Sequence, residues 1–231
     1  MSGLPNTSKC SGDCLWLDRQ EVLIASLRAQ PLVVVLRSEY DHLEGSSYRA
    51  SLFAVFEQLH LLGVRHVELA WSPHPGWMSL MREVQECFAG LCLGAASISC
   101  PEALQSVAEL GLAYAMTAYW DADLHQKARE MHQVLVPGVF TPTEIQQAYR
   151  SGCRLVKLFP ASVLGLDYWR QLAGPMDSLP FVIAAGGLTV QDFVPWLNAG
   201  YDAVALGRDL VQQGQLDHAL KACLKPPATT D

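Results

Sequence analysis

The sequence predicts an α/β fold, a (β/α)8 (TIM) barrel carrying an extra helix at its N-terminal side. Three observations predict it. Eight short apolar runs alternate with amphipathic stretches along almost the whole chain. The runs are nearly continuous in Val, Ile, Leu and Ala, as strands buried on both faces of a parallel sheet must be. Glycines 63, 111, 152 and 200 stand where the preceding helical patterns end, at positions suited to a left-handed cap. Strand–helix alternation repeated eight times is a barrel signature. A doubly wound open sheet competes, but its glycine-rich turn after the first strand is missing, since that strand ends in LRSEYDH.

The elements follow in order. Helical DRQEVLIASLRAQ (18–30) leads to the apolar run PLVVVLR (31–37), and LFAVFEQLHLLG (52–63) leads to VRHVELA (64–70). MSLMREVQECFAG (78–90) leads to LCLGAAS (91–97), and EALQSVAELG (102–111) to LAYAMTA (112–118). ADLHQKAREMH (122–132) precedes QVLVPGV (133–139), and PTEIQQAYRSG (142–152) precedes CRLVKLFP (153–160). LDYWRQLAG (166–174) precedes FVIAAGG (181–187), VQDFVPWLNAG (190–200) precedes YDAVALG (201–207), and a closing helix is expected from about 208 to 224. Residues 1–16 are polar and read as a flexible tail, 17–225 as one barrel domain and 226–231 as a second tail.

Composition narrows the function classes. Half of the 231 residues are hydrophobic and 17% are charged, which excludes a disordered chain. A net charge of −7 argues against nucleic acid or an anionic membrane as partner. No apolar run approaches a membrane span, and MSGLPNTSKCSGDC lacks the layout of a secretory signal. Seven cysteines without a repeated spacing fit a reducing cytoplasm, and Cys87, Cys92, Cys100 and Cys153 read as buried thiols. Cys10 and Cys14 form an isolated CxxxC with no second ligand pair, so no metal is expected. The histidines form no HExxH or HxH set and read as surface or structural residues, with His74 in the loop WSPHPGW a minor candidate for a site wall.

In a barrel the chemistry sits at the carboxyl ends of the strands. Lys157 lies within RLVKLFP and alternates against Val156 and Leu158. Burial disfavours an ammonium and leaves an amine able to attack a carbonyl; a snorkelling or ion-paired lysine is the plain structural reading. Glu68, in VRHVELA, points to the same interior by the same alternation. It suits a general acid/base near Lys157, or an ion pair with Lys157 or Arg37. Gly186-Gly187 after the seventh strand, and Gly207-Arg208 after the eighth, could admit a phosphate to backbone N–H groups or form ordinary turns.

The motifs VVVLRSE, GVRHVELAWSP, GAAS, VPGVFTPTE, LVKLFPAS, AAGGLTVQDFVPWLNAG and ALGRDL occur in an order that resembles the class I 2-keto-3-deoxy-6-phosphogluconate and 4-hydroxy-2-oxoglutarate aldolases, across roughly residues 20–212. The resemblance implies a metal-free homotrimer with no cofactor and a small 2-keto acid as substrate. It matches Lys157 to the Schiff-base lysine and Glu68 to the acid/base glutamate. It matches Phe159 and Pro160 to the residues flanking the catalytic strand end, and Gly186, Gly187 and Gly207 to the phosphate side, with Arg208 where a serine is usual. Many members carry a carboxylate-binding arginine where this chain has Ser72; others carry it at the end of the first strand, as Arg37 stands here. Ser97, in GAAS, offers a hydroxyl where threonine is usual. A phosphosugar isomerase or epimerase using Glu68 without an imine, and a non-catalytic binding barrel, remain the competing readings.

Overall fold

Leu32–Leu36 (β1), His66–Ala70 (β2), Cys92–Ala96 (β3), Tyr114–Met116 (β4), Leu135–Val136 (β5), Gly138–Val139 (β6), Leu155–Leu158 (β7), Phe181–Ala185 (β8) and Ala203–Leu206 (β9) form one parallel sheet in the computed structural model of the chain. The structure describes residues 7–37, 46–176, 178–207, 210–212 and 215–224. The strand order is β5-β4-β3-β2-β1-β9-β8-β7-β6. Its two ends, β5 and β6, are halves of a single run that Pro137 interrupts because it has no N–H to give a ladder. The sheet therefore closes on itself. Lys157 N–H donates to Pro137 O (2.8 Å) and Phe159 N–H to Val139 O (3.0 Å), across the seam. Counting that run once, the eight expected strands make the expected barrel.

Alternation divides the strands' side chains between two cores. Val33, Tyr114, Met116, Val136, Leu155, Ile183 and Ala203 fill the barrel interior. Val34, Val67, Leu69, Val156, Leu158, Val182 and Val204 face outward and pack with helix residues such as Leu59, Leu80, Leu104 and Ile145. The helices covering them include Ser46–Leu61 (α2), Pro75–Cys87 (α3), Pro101–Glu109 (α4), Ala122–Glu130 (α5) and Pro142–Arg150 (α6), followed by the shorter Ala161–Leu164 (α7), Tyr168–Leu172 (α8) and Phe193–Asn198 (α9). The TPTE segment is a capping box: Thr141 Oγ1 accepts the Glu144 N–H, and Glu144 accepts the Thr141 N–H in return. Gly63, Gly111, Gly152 and Gly200 all have positive φ, as cap glycines should.

Helix α1 departs from expectation. It runs Thr7–Ala29, so it begins well inside the stretch read as a tail. Two contacts anchor this first part. Trp16 is buried with Nε1 donating to Gln133 O (3.2 Å), and Asp13 pairs with Arg129 Nε at 2.8 Å. Further along, Leu23, Ile24 and Leu27 join the interior cluster and close the amino-terminal end of the barrel. The closing helix is also different. Val211–Gln212 (β10) pairs antiparallel with Gln215–Leu216 (β11), and only Leu220–Cys223 (α10) is helical. The sequence VQQGQL brackets a glycine-containing two-residue connection, which favours a hairpin over a helix. Of the thiols expected to be buried, Cys153 is; Cys92 and Cys100 are partly covered, and Cys87, the last residue of α3, is exposed. The segment 226–231 lies outside the described residues.

Among the described residues, no helix is long and apolar enough to cross a membrane, and no group of three His, Cys, Asp or Glu side chains could hold a metal ion.

The seam leaves no room for a side chain at Gly138, where a Cβ would lie 2.2 Å from the Ala118 carbonyl carbon. Gly138→Ala should lower stability by at least about 2 kcal/mol through overpacking. Gly174→Ala, at an open position with nothing within 4 Å, should stay within about 0.5 kcal/mol. Urea melts of both variants check the pair.

Candidate active site

A cavity of about 340 Å³ opens at the carboxyl ends of the strands. Its wall includes Arg37 at the end of β1, Glu68 on β2, Ser97 after β3, Lys157 on β7, Phe159 and Pro160 after it, Gly186 and Gly187 after β8, and Gly207 after β9. The barrel thus brings nine of the residues singled out from sequence to one place. Met116, Ala118, Ser162 and Leu188 also line it. Sequence reasoning passed over them because they are apolar or, for Ser162, because it falls in the first turn of α7, two residues beyond the motif's proline.

Two predicted positions, Ser72 and His74, fall elsewhere, and a third is not described. Ser72 is buried but not in the wall: its Oγ accepts the His74 N–H (3.2 Å), which shapes the turn before α3. His74 caps α3, its Nδ1 accepting the Gly76 N–H at 3.0 Å. Arg208 lies outside the described residues. Trp77 is wholly buried and its Nε1 donates to Ala70 O (2.9 Å), so it is core.

Lys157 is 8% exposed and Glu68 1% exposed. Several other buried polar side chains have partners, mostly on the backbone. Gln20 bridges Gly152 O and Arg154 N–H, and Gln133 donates to Leu112 O. Buried His66 meets Ser26 Oγ (2.8 Å) and Leu32 O (3.3 Å), and Thr117 accepts the Gly138 N–H (3.0 Å). Glu68 Oε1 has no hydrogen-bond partner among the described residues. A buried acceptor left so is expensive unless a ligand or water completes it.

The two groups perturb one another. Burial pushes the Glu68 carboxyl well above the usual carboxylate range, and the Lys157 ammonium pulls it back in part. Burial pushes the Lys157 ammonium down; Glu68 opposes this and the Arg37 guanidinium adds to it. Both shifts favour neutral forms, so a pair with one proton between them can stand as ammonium–carboxylate or as amine–carboxylic acid with the same total charge. Lys157 Nζ stands 5.1 Å from the centroid of the Phe159 ring, whose face also attracts the cation. The amine form is a nucleophile and the acid form a proton donor, which is the pairing a carbonyl-addition chemistry needs.

The rim is held in unusual backbone. Ser97 has φ 61°, a left-handed conformation that is uncommon outside glycine. Gly186 and Gly187 follow one another at φ 94° and 74°. A Cβ at Gly186 would sit 2.8 Å from the Phe159 ring, and one at Gly187 would sit 2.2 Å from Ser162 Oγ. Both conformation and space demand glycine here, and both residues line the cavity. Arg37 is solvent-exposed, and its carbonyl accepts from Tyr48 Oη at 3.1 Å, which fixes the backbone at the strand end.

A family model described as KDPG and KHG aldolase matches residues 24–222. The chain is similar to the 2-dehydro-3-deoxy-6-phosphogalactonate aldolase of Escherichia coli (strain K12), with 28% identity over 142 residues that make up 61% of this chain and 69% of that protein. It is similar to the probable 2-dehydro-3-deoxy-6-phosphogalactonate aldolase of Rhizobium meliloti (strain 1021), with 25% identity over 185 residues, 80% of this chain and 84% of that one. Among solved structures, the 2-keto-3-deoxy-6-phosphogluconate aldolase of Zymomonas mobilis ATCC 29191 matches the fold with a TM-score of 0.71 at 22% identity, covering 86% of this chain and 91% of that one.

The buried pair yields a prediction about stability. In Lys157→Met the Glu68 carboxyl loses the charge that pulls it down, so its folded value rises further above its unfolded value. A raised carboxyl contributes stability at low pH that is lost as pH rises through the folded value. Lys157→Met should therefore lose on the order of 3 kcal/mol between pH 5 and pH 9 relative to the Lys157→Met/Glu68→Gln double variant. Chemical denaturation of both across that range is the check.

Proposed function

The chain belongs to the KDPG and KHG aldolase family and is a lyase, and we propose that it is a Schiff-base aldolase that cleaves a phosphorylated 2-keto-3-deoxy sugar acid into pyruvate and a phosphorylated aldehyde. The observation that carries this reading is the buried pair. Among the described residues, Lys157 and Glu68 are the two buried ionisable side chains that line the cavity, and Glu68 Oε1 is unpartnered.

In the proposed sequence the Lys157 amine adds to the C2 ketone, and loss of water gives a protonated imine. The imine is an electron sink. Glu68, as carboxylate, takes the proton of the C4 hydroxyl; the C3–C4 electron pair moves into the imine; the aldehyde leaves. Glu68 then returns a proton to C3 of the enamine, and water hydrolyses the imine to release pyruvate and restore the amine. Each carboxyl protonation state is used once, which suits a group whose acid strength burial has brought toward neutrality. Arg37 holds the substrate carboxylate by a charge-assisted pair, with the Ser97 hydroxyl beside it.

The substrate's phosphate is supported by the far side of the cavity. Gly186, Gly187 and Gly207 line it without side chains, and Gly207 approaches Val35 so closely that a Cβ would be 3.2 Å from its carbonyl oxygen. Glycine backbone lets an oxyanion approach its N–H groups closely. The names of relatives, a phosphogalactonate aldolase, a probable one and phosphogluconate aldolases, point the same way. We take the assembly to be a homotrimer, which light scattering of the purified protein would test.

Three outcomes test the reading. Pyruvate with borohydride should add a single reduced adduct to the protein, read by intact mass and mapped to Lys157; an unmodified chain would sink the imine and leave the isomerase reading standing. Arg37→Met should raise KM about tenfold or more with a smaller effect on kcat, as loss of a charged carboxylate contact does. A panel of 2-keto-4-hydroxy acids with and without a 6-phosphate should show the phosphorylated members cleaved at higher kcat/KM; preference for 4-hydroxy-2-oxoglutarate would overturn the assignment of the glycine rim.

A further inference from the structure

Glu68 Oε1 is not the only orphaned polar atom in the barrel interior. Tyr114 Oη is buried and also has no hydrogen-bond partner among the described residues. The two belong to one layer. Glu68 on β2 is in register with Gly94 on β3, and Gly94 with Tyr114 on β4. A Cβ on Gly94 would lie 2.6 Å from both Cε2 and Cζ of Tyr114. The far end of the ring, where Cζ carries the hydroxyl, therefore lies over Gly94, in space that only a glycine leaves open. With strands about 4.8 Å apart, a ring crossing β3 in this way delivers its hydroxyl toward the β2 column where Glu68 stands. Tyr114 does not line the cavity, whereas Glu68 does. The phenol thus bears on the carboxyl from within the barrel packing.

We propose that Tyr114 is a positioning residue for Glu68: its hydroxyl donates to one buried water, and that water donates to Glu68 Oε1, leaving the carboxyl's other oxygen for the cavity. One bridging water satisfies both orphaned atoms, which is the usual role of water in protein interiors. The proposal rests on the reading of Glu68 as the acid/base group. Tyr114 is suited to remain a donor throughout the cycle. Burial raises its acid range well above the ordinary phenol value, and the charges of Glu68 and Cys92 raise it further. The charged or titratable groups bearing on the pair are Lys157 from β7, which acts on Glu68, Cys92 from β3, which acts on Tyr114, and Arg37 at the end of β1, which acts on Lys157. Without a donor on Oε1 the carboxylate is harder to form, and it is free to rotate away from the C4 hydroxyl.

The test is Tyr114→Phe, which keeps the ring over Gly94 and removes only the hydroxyl. Turnover should fall about tenfold, the worth of a hydrogen bond to a charged group, with KM nearly unchanged. The limb of the kcat–pH profile that reports Glu68 should move to higher pH, because the carboxylate loses a donor. Added to Glu68→Gln, the same change should slow turnover no further. A high-resolution crystal structure of the wild-type protein should show an ordered water within hydrogen-bond distance of both Tyr114 Oη and Glu68 Oε1, and it decides the matter alone if Tyr114→Phe does not fold. Wild-type kcat with an unmoved limb, or a crystal without that water, overturns the proposal. Borohydride trapping of pyruvate separates the two levels: Tyr114→Phe should trap as fully as wild type, while a wild-type protein that does not trap defeats the aldolase reading instead.

Discussion

An ammonium and a carboxylate share the interior of an otherwise apolar barrel, and much of the structure follows from that constraint. Two isolated ions there would be prohibitively costly. As a pair they are bearable, because burial drives both toward neutrality and one proton can serve either. The surroundings keep the pair in that state. α1 closes the amino-terminal end with Leu23, Ile24 and Leu27, and the cavity opens at the other end. Small residues at the strand ends, among them Ala96, Ala185 and Ala205, leave the volume in which a substrate can sit.

Backbone strain is concentrated at the same mouth. Ser97, Gly186 and Gly187 are left-handed, and all three line the cavity. Elsewhere the left-handed glycines end helices, where the conformation is routine. His132, at φ 54°, is the other non-glycine residue of this kind among those described, and it closes the turn after α5. The barrel's closure at Pro137 ties the strand that carries Lys157 into this arrangement. The Lys157 N–H donates to the carbonyl of the residue that breaks the neighbouring strand, so the lysine's height in the barrel is set across the seam.

Polar atoms inside the barrel divide into two kinds. Gln20, Gln133, His66 and Thr117 are buried with partners and hold elements together. Glu68 Oε1 and Tyr114 Oη are buried without them. In the same packed interior, the difference marks which groups serve the fold and which wait on something added.

The sequence by itself determined the barrel, its strands to within a residue or two, and nine of the residues that line the cavity. It could do so because period-2 alternation and the barrel's one-ended site rule are local or nearly local signals. Lys157 between Val156 and Leu158, and Glu68 between Val67 and Leu69, declare their direction without help. The extent of α1 was not legible, since Trp16 and Asp13 acquire their anchors from Gln133 and Arg129, more than a hundred residues away. Ser72 was misplaced because spacing cannot tell a hydroxyl that faces a cavity from one that caps a turn. The terminal hairpin has a single local signal, the glycine in VQQGQL, set in a stretch otherwise compatible with a helix. Tyr114 was invisible for a stronger reason: its approach to Glu68 exists only because a third strand, at Gly94, has no side chain in the way. Such an arrangement depends on the register of three strands, and register is a property of the closed sheet that no single segment carries.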